Sequence, residues 1–538
     1  MRLLALLRRE SDVSLRTLLL MASVAGLASS LILPIINTAA KMAFHRESSF
    51  RLLFLFSITV TIYAISQRRF MTRCIAEVEL VLDRLRVRLA DKIRHCDLAP
   101  IEEVGRTVLY ASITKETTAI SQAALVLVVS MQFAILIVFT ALYVLVLSPL
   151  AFLLTATSTA AIVVAYRSRL RRIHVQLSES MKRENDLFDA LTHLLDGFKE
   201  VRMNRARSDD LFRYFEEVSR SVRTIKANTM AQVSGMFVFS QVWFYLLLGV
   251  IVFVVPRLSV TYTEQVVQIT TAVLFLVGPI TSLVSSAQNL ASADVACENI
   301  AAIEATLDRS LSAQAVGAMP KQQFRSIELE DVVFQYADKA GASFTVGPIN
   351  LRIRAGEILF IAGGNGSGKS TFLKLLTGLY FPTRGVIRVD GEALTAETYD
   401  SYRSLFATVF TDFHLFDRLY GLLDVPQATI DHNLALIELE DKTRVVDSRF
   451  ETLELSGGQR KRLSLLVSLL EDRPIAVFDE MAADQDPPFR RKFYQEILTL
   501  LKGRGKTVVA VTHDDKYFGE ADRLLKMDEG RLVRHDAA

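Results

Sequence analysis

The chain has 538 residues, roughly three and a half times the length of a typical domain, which excludes a single small domain. Hydrophobic residues make up 51% of it and charged residues 22%, a balance that excludes disorder and suggests a membrane part joined to a water-soluble part. A net charge of +3 argues against nucleic-acid binding through bulk charge, and the cysteines Cys74, Cys96 and Cys297 lack metal-ligand spacing.

Six apolar runs predict membrane helices. A bilayer core about 30 Å thick needs about 20 apolar residues in a helix, and one charge near the helix centre costs about 2.5–3.5 kcal/mol. The first run follows a basic N-terminus, as in a cleavable signal peptide, but it is longer than the apolar core of a signal, so we interpret it as a membrane helix. The runs, none of which contains Asp, Glu, Lys or Arg, are residues 17–40, 52–67, 119–146, 150–166, 233–255 and 265–290.

The connections between the runs predict their orientation. Only three residues, ending in Pro149, separate the third run from the fourth, which predicts a tight reversal. The connections after the second and fourth runs are long and basic, so the positive-inside bias places them and both termini in the cytoplasm. Both keep helical spacing and are interrupted near Pro100 and Gly197, which predicts rods with short segments that touch another domain, or else a solvated charged face.

A few polar residues lie within the apolar runs. Polar groups inside a membrane must find partners, so each of them either contacts cargo or joins neighbouring helices. Because the runs contain no ionisable acid or base of the Asp, Glu, Lys or Arg type, a proton relay is not expected. The candidate cavity residues are Gln132, Gln241, Tyr245 and Gln268.

The character of the sequence changes after about residue 310. Residues 309–323 are small and polar and predict a linker between a membrane domain, 1–308, and a second domain, 324–538. In the second domain short β-rich segments such as EILFIAG, IAVFDE and TVVAVTH alternate with helical ones. This alternation predicts an α/β fold with a largely parallel sheet.

Residues 363–370 read GGNGSGKS and fit the phosphate-binding pattern G-x-x-x-x-G-K-[ST], between a predicted strand and a predicted helix. Glycines let successive N–H groups point into one concavity at a helix N-terminus, where Lys369 would neutralise phosphates and the Ser370 hydroxyl would ligate Mg²⁺. The candidate nucleotide-binding residues here are Gly363, Gly364, Asn365, Gly366, Ser367, Gly368, Lys369, Ser370 and Thr371.

Two further motifs follow. The apolar strand IAVFDE ends in Asp479, a candidate Mg²⁺ ligand, and Glu480, a candidate general base, although an acidic strand end without catalytic function is the alternative. Before it, LSGGQ opens a predicted helix and offers backbone amides and a hydroxyl to a phosphate. The residues of that motif are Leu455, Ser456, Gly457, Gly458 and Gln459.

The phosphate loop, LSGGQ and the DE strand, in this order after six membrane spans, resemble the ATP-binding cassette (ABC) half-transporters of the exporter type. The resemblance covers essentially the whole chain. It implies an α-helical six-span transmembrane domain fused to an α/β ATPase of the P-loop type, whose mainly parallel sheet is joined by antiparallel and helical subdomains. It also implies bound ATP and Mg²⁺, and a homodimer, or less readily a heterodimer, that holds two ATP molecules between its cassettes.

Other positions match the family pattern or depart from it. Tyr336 resembles the aromatic residue that stacks on adenine, with an ordinary strand tyrosine as the alternative. His513 resembles the histidine that contacts the γ-phosphate, and Asp486 the aspartate of the loop that crosses the dimer interface. Thr411 stands where most ABC proteins have a glutamine that contacts the metal, and a threonine is shorter, so metal coordination or coupling is expected to differ.

The cassette end, from VFDEMAADQDP to ADRLLKM, resembles the subgroup that exports cyclic peptides, lipopeptides and peptide siderophore precursors. We therefore expect ATP-driven export of such a molecule across the bacterial inner membrane, with the cassette and both termini in the cytoplasm. The alternatives are a lipid or multidrug exporter and an ATP-dependent membrane sensor that transports nothing.

Overall fold

The computed structural model describes residues 2–10, 12, 15–44, 50–257, 265–308, 323–335 and 344–534. The chain divides into two compact units. The first comprises Met1–Cys96 and Pro100–Ser310, and the second comprises Asp97–Ala99 and Leu311–Ala538.

The first unit is helical. Within the described residues, six helical stretches are long and apolar enough to cross a membrane, which confirms the predicted six-span architecture: Leu20–Ala43, Phe50–His95, Arg106–Leu147, Pro149–Ser168, Arg205–Arg257 and Val266–Asp308. The helices are α1 (Arg2–Glu10), α2 (Leu15–Phe44), α3 (Phe50–His95), α4 (Leu98–Val104), α5 (Arg106–Ala111), α6 (Thr117–Leu147), α7 (Pro149–Asp196), α8 (Phe198–Met203), α9 (Arg205–Gly249) and α10 (Val266–Asp308). Ser112–Glu116 and Val250–Val254 are π-helical turns, and Val255–Arg257 is a 3₁₀ turn.

The reversal between α6 and α7 has a local cause. Ser148 adopts an extended backbone, and its hydroxyl accepts a hydrogen bond from the amide of Ala151, while Pro149 occupies the first turn of α7. A proline is tolerated there because its missing N–H would have no partner within the helix. The reversal predicted from the sequence is therefore built from a cap and a proline.

Helices α3, α7, α9 and α10 contain 46, 48, 45 and 43 residues. At 1.5 Å per residue these lengths are about 65–72 Å, more than twice the thickness of a bilayer core. The helices therefore extend well beyond the hydrocarbon, as rods.

Polar residues inside the spans bond to neighbouring helices. The Gln67 amide nitrogen donates to Gln132 Oε1 at 2.9 Å, and the Asn37 amide donates to the hydroxyl of Tyr143 and to the backbone carbonyl of Gln268, both at 3.3 Å. Gln132 is buried and contacts a neighbouring helix, which favours a role in joining helices over contact with cargo. Tyr245, by contrast, is exposed on the surface of the chain.

The described residues of the second unit form three sheets. Its strands are β1 (Ser326–Gln335), β2 (Thr345–Arg354), β3 (Ile358–Gly363), β4 (Arg384–Val389), β5 (Glu392–Ala393), β6 (Phe406–Val409), β7 (Val445–Val446), β8 (Arg449–Phe450), β9 (Ile475–Asp479), β10 (Thr507–Val511), β11 (Arg523–Asp528) and β12 (Arg531–Arg534). The largest sheet has the order β12-β11-β3-β10-β9-β6 and is parallel except for β12, whereas the sheet β2-β1-β4-β5 is antiparallel and β7 pairs with β8.

Helices cover the parallel sheet. They are α11 (Lys369–Leu376), α12 (Tyr399–Arg403), α13 (Gln427–Leu436), α14 (Gly457–Glu471), α15 (Pro487–Lys492) and α16 (Leu498–Gly503), with a π-helical turn at Phe493–Ile497 and a 3₁₀ turn at Asp515–Glu520. Helices α13 and α14 lie between β6 and β9 in the chain. The arrangement confirms the predicted α/β fold with a mainly parallel sheet and an antiparallel subdomain.

Strands β3, β9 and β10 are buried on both faces. Alternate side chains of β3 enter two different cores: Phe360 packs in the cluster that contains Leu466 of α14, and Ile361 in the cluster that contains Phe372 of α11. A strand buried on both faces needs a continuous apolar sequence, which EILFIAG, IAVFDE and TVVAVTH supply. Because β3, β9 and β10 run parallel, the residues that follow them lie at the same edge of the sheet.

Candidate active site

The phosphate-binding loop leaves β3 in a conformation that glycine favours. Gly363, Gly366 and Gly368 have φ angles of 154°, 76° and 99°. A Cβ atom at Gly363 would lie 2.3 Å from the carbonyl oxygen of Met527 in the neighbouring strand β11. Residues 364–366 are exposed, so the crest of the loop faces solvent and is open to a ligand.

Lys369 is the first residue of α11 and is only 6% exposed. Its ammonium donates to the carbonyl oxygens of Gly363 and Gly364 at 3.0 and 2.9 Å. The loop therefore folds around its own lysine and holds the positive charge at the helix N-terminus, where anions are favoured.

Asp479 ends β9 and is buried next to this lysine-bearing loop. Its Oδ2 accepts a hydrogen bond from the Ser370 hydroxyl at 2.8 Å, and its backbone carbonyl accepts one from the Thr411 hydroxyl at 3.4 Å. Burial raises the pKa of the Asp479 carboxyl, while the hydrogen bonds from Ser370 and Thr411 act in the opposite direction.

The arrangement fits a bound nucleotide and its metal. Among the described residues, Asp479 Oδ1 is buried without a hydrogen-bond partner, and the Ser370 hydroxyl lies beside the other carboxylate oxygen. Mg²⁺ prefers oxygen ligands and is commonly held by one or two carboxylates together with phosphates and water. The buried Ser367 hydroxyl also lacks a partner within the described residues and lies in the same loop.

Glu480 follows Asp479 with a left-handed backbone, φ 52°, which is uncommon for a residue other than glycine and concentrates at functional sites. The Glu480 amide donates to the Val511 carbonyl at 3.1 Å. Its Oε1 lies 2.9 Å from His513 Nε2 and 4.0 Å from Lys369 Nζ. The carboxylate thus lies between the His513 imidazole and the Lys369 ammonium of the phosphate loop.

The LSGGQ motif forms the N-terminus of α14. The Ser456 hydroxyl accepts from the Gln459 amide at 3.3 Å, and Gln459 Oε1 accepts from the Ser456 amide at 3.1 Å, which completes a capping box. Gly458 lies close to the loop after Glu480: its carbonyl accepts from Gln485 Nε2 at 3.0 Å, and a Cβ atom there would lie 2.7 Å from the Asp484 carbonyl oxygen.

One turn further along α14, Lys461 and Arg462 join this helix to the same loop. Lys461 is 3% exposed, and its ammonium donates to the Glu480 carbonyl oxygen at 2.7 Å and lies 3.3 Å from Asp484 Oδ2. Arg462 donates to Gln485 at 2.8 Å and to Asp486 at 3.0 Å. Helix α14 therefore supports the backbone of Glu480 directly.

The chain is similar to known proteins over most of its length. The family model described as ABC transporter matches residues 346–483. The ATP-binding protein SyrD of Pseudomonas syringae pv. syringae is 33% identical over 536 residues, which are 96% of this chain and 93% of that protein. The chain belongs to the ABC transporter family.

This ABC transporter is also similar to a second relative and to a solved structure. An ATP-dependent lipid A-core flippase of Paraburkholderia xenovorans is 28% identical over 85% of this chain and 78% of that protein. A solved bacterial Atm1-family ABC exporter with ATP bound superposes with a TM-score of 0.77 at 19% identity, covering 98% of this chain and 95% of that one. The chain has the fold of an ABC half-transporter of the exporter type, and it is an ATPase coupled to transport.

Many of the site residues predicted for this ABC exporter lie together in the structure, at the phosphate loop. Residues 363–371, Thr411, Asp479, Glu480 and His513 lie at or beside the phosphate loop. Of the residues Leu455–Gln459, Gly458 contacts the loop Asp484–Asp486. Asp486 caps α15, since its Oδ1 accepts from the Phe489 amide at 2.9 Å. Tyr336 lies outside the described residues.

Lys461 is not among the residues that the sequence motifs predict. Residues 459–463 read QRKRL, a run of three successive basic residues, which is typical of a solvated helix face. In the structure Arg460 is exposed, whereas Lys461 and Arg462 are buried. The signal that was available is the apolar run that begins at Leu463, because it marks which face of α14 turns inward.

Proposed function

We propose that this ABC exporter uses ATP to move a peptide-like molecule across the bacterial inner membrane, of the class that includes cyclic peptides, lipopeptides and peptide siderophore precursors. The observation that carries this cargo class is the cassette end, from VFDEMAADQDP to ADRLLKM, with its resemblance to that subgroup. Spans without Asp, Glu, Lys or Arg in their apolar runs suit a large neutral or amphipathic cargo.

Catalysis in this proposal uses the residues gathered around the phosphate loop. Lys369 would bind the phosphates, Ser370 and Asp479 would hold Mg²⁺, and Mg²⁺ when bound would neutralise charge at the phosphate oxygens. Glu480 accepts a proton from the attacking water, and His513 keeps the Glu480 carboxylate oriented through their 2.9 Å contact. The Thr411 hydroxyl donates to the backbone carbonyl of Asp479 at 3.4 Å, so Thr411 would act on the metal site by positioning this ligand.

The proposed working form is a homodimer. The chain has one phosphate loop and one LSGGQ motif, and the capped N-terminus of α14 presents Ser456 and two glycines. In the dimer, the LSGGQ motif of one copy closes on the nucleotide that the other copy holds. ATP then joins the two cassettes and its hydrolysis loosens them.

The proposed orientation follows from the basic connections. The connection after the second apolar run is basic, with eight Arg and Lys residues within residues 68–94. The connection after the fourth run begins with four arginines within residues 167–172. The positive-inside bias places these stretches in the cytoplasm with the cassette and both termini.

Transport assays in vesicles test the cargo class. The purified protein is reconstituted with its cassette outside, and ATP-dependent accumulation of a fluorescent lipopeptide is measured against accumulation of a fluorescent phospholipid. Lipopeptide uptake that requires ATP and is lost in Lys369→Ala supports the proposal. Uptake of phospholipid alone would favour the lipid exporter, an alternative that the similarity to a lipid A-core flippase supports. ATP hydrolysis without transport of either probe would favour the sensor.

A further inference from the structure

A charged pocket lies in the first unit, between the segment that leads into α6 and helices α7, α9 and α10. Its volume is about 340 Å³, within the range of about 300–1,000 Å³ that is usual for small-molecule sites. Its lining combines three charged side chains, Lys115, Glu184 and Lys226, with two flexible apolar ones, Met181 and Met230.

The charges in this pocket do not balance. Glu184, whose side chain is 17% exposed, forms ion pairs with both Lys115 and Lys226, whose side chains are 49% and 53% exposed. The other lining residues within the described part of the chain are uncharged. One carboxylate therefore faces two ammonium groups, and the pocket keeps a surplus positive charge with both lysines open to a ligand.

Glu184 keeps its own negative charge in this setting. Burial raises the pKa of the Glu184 carboxyl, but the hydrogen bonds and charges of Lys115 and Lys226 outweigh burial, so the pKa lies below its ordinary value. Because Glu184 is ionised, the three side chains together carry one surplus positive charge. A neutral Glu184 between the two lysines would leave two.

The backbone at Lys115 is unusual. Lys115 lies in the π-helical turn Ser112–Glu116, between α5 and α6. Such turns are rare within α-helices and are frequent at functional sites.

The pocket lies beyond the membrane core. Lys115 and Glu184 are each about 50 Å of helix from the reversal at Ser148, whereas the hydrocarbon core is about 30 Å thick. With the reversal at one membrane surface, the pocket is about 20 Å outside the hydrocarbon on the opposite side. In the proposed orientation this is the cytoplasmic side, from which an exported molecule must enter.

We propose that this pocket binds a carboxylate of the cargo, an amphipathic acidic peptide, before the cargo passes between the membrane helices. The lysine ammonium groups would donate charge-assisted hydrogen bonds to that carboxylate, and the thioether side chains of Met181 and Met230 would pack against its apolar part. The inference rests on the proposed peptide export and deepens it, since it names the chemical group that is recognised.

Two probes that differ in one charge test the inference. They are an N-dodecanoyl heptapeptide of uncharged residues with a free C-terminal carboxylate and the same molecule as its C-terminal amide. The full-length protein is reconstituted in vesicles of phosphatidylethanolamine and phosphatidylglycerol, and the probe concentration that half-maximally stimulates ATP hydrolysis is measured. We expect this concentration to be about tenfold lower for the acid than for the amide.

Charge variants separate recognition from a structural role. Lys226→Gln removes the surplus charge and should abolish the acid preference. Glu184→Gln leaves both ammonium groups for the ligand and should increase the preference. If the triad only joined helices, both variants would break the same network and weaken stimulation together. The matched control is Arg223→Gln, an exposed arginine one turn before Lys226 on α9 that does not line the pocket and should keep the native preference.

The outcomes distinguish this inference from the proposed function. Equal half-maximal concentrations for acid and amide in the native protein, or a preference that survives Lys226→Gln, overturn the carboxylate site while peptide export stands. Stimulation and uptake of neither probe overturn peptide export and the site with it. If Glu184→Gln does not fold, Lys115→Gln decides, because the site requires it to reduce the acid preference as Lys226→Gln does.

Discussion

At the scale of single residues, Glu480 shows how the chain holds one carboxylate in place. Its amide donates to Val511, its carbonyl accepts from Lys461, and its side chain meets His513. These contacts come from β10, from α14 and from the second residue after β10. The left-handed conformation of Glu480 is therefore fixed from several directions, and a strained backbone persists only where its surroundings hold it in this way.

Replacing Glu480 by glutamine should separate ATP binding from hydrolysis. Glutamine keeps the size of the side chain but cannot accept the proton of the attacking water, so the hydrolysis rate should fall by about 10²–10⁴-fold. ATP affinity, measured by equilibrium binding, should stay close to native because Lys369 and the loop amides are unchanged. The control is Glu496→Gln, an exposed carboxylate in the same unit; rapid turnover in Glu480→Gln would contradict the assignment of the base.

Lys461→Met should lower turnover without weakening ATP binding. The change removes the 2.7 Å hydrogen bond to the Glu480 carbonyl, and a displacement of about 1 Å in a catalytic group can cost about a hundredfold in rate. We therefore expect kcat to fall by about 10- to 100-fold while KM for ATP changes little. Lys461→Arg, which retains a cationic donor, should recover part of the rate.

A double variant tests whether Lys461 acts through Glu480. In a Glu480→Gln background the base is already lost, so adding Lys461→Met should reduce the residual hydrolysis little further. Two independent losses that multiply would show that Lys461 stabilises the fold of the cassette instead of positioning the base.

At the scale of elements, the junction between β3 and the phosphate loop favours glycine at Gly363. Gly363→Ala would place a Cβ atom 2.3 Å from the Met527 carbonyl oxygen, so β3 and β11 must separate, at a cost of about 1–3 kcal/mol. We expect faster hydrogen–deuterium exchange in β3 and β11 of the nucleotide-free protein. Gly364→Ala is the matched control, because a Cβ atom there meets no atom within 4 Å; equal exchange in both variants would contradict the steric argument.

The sequence predicted elements whose signal is local. The apolar runs predicted the spans because a helix in lipid must be apolar. EILFIAG followed by GGNGSGKS predicted a strand, a loop and a helix because this order of residues is typical of a phosphate-binding loop. The partners of Lys461 were not predictable in this way, since they lie in the Glu480–Asp484 stretch, about 20 residues further along the chain. The π-helical turn at Ser112–Glu116 is likewise a result of packing, and no residue pattern in SITKE indicates it.

At the scale of the whole molecule, the first unit contains the membrane spans and the second contains the nucleotide site. Membrane helices need only apolar length, so their sequence carries little information about cargo, whereas the cassette must place specific groups at one sheet edge. The proposed dimer adds a further requirement. Each complete ATP site would combine the phosphate loop of one copy with the capped α14 terminus of the other, so that two copies are needed for one site.

Mixed dimers test this composite site. Lys369→Ala damages the phosphate loop, and Ser456→Arg places a bulky cation in the LSGGQ motif. If one chain carries the first change and its partner carries the second, both defects fall in the same composite site and the other site stays intact. If one chain carries both changes and its partner is native, each site contains one defect.

Co-expression with two different affinity tags yields mixed dimers of both kinds for ATPase measurements. The pair with one change in each chain should retain ATP hydrolysis, and the pair with both changes in one chain should lose nearly all of it. The total number of defects is the same in the two pairs, so general instability would affect them alike. The reverse result, with activity retained only beside a native chain, would mean that each copy binds and hydrolyses ATP within itself, since a native copy would then work unaided.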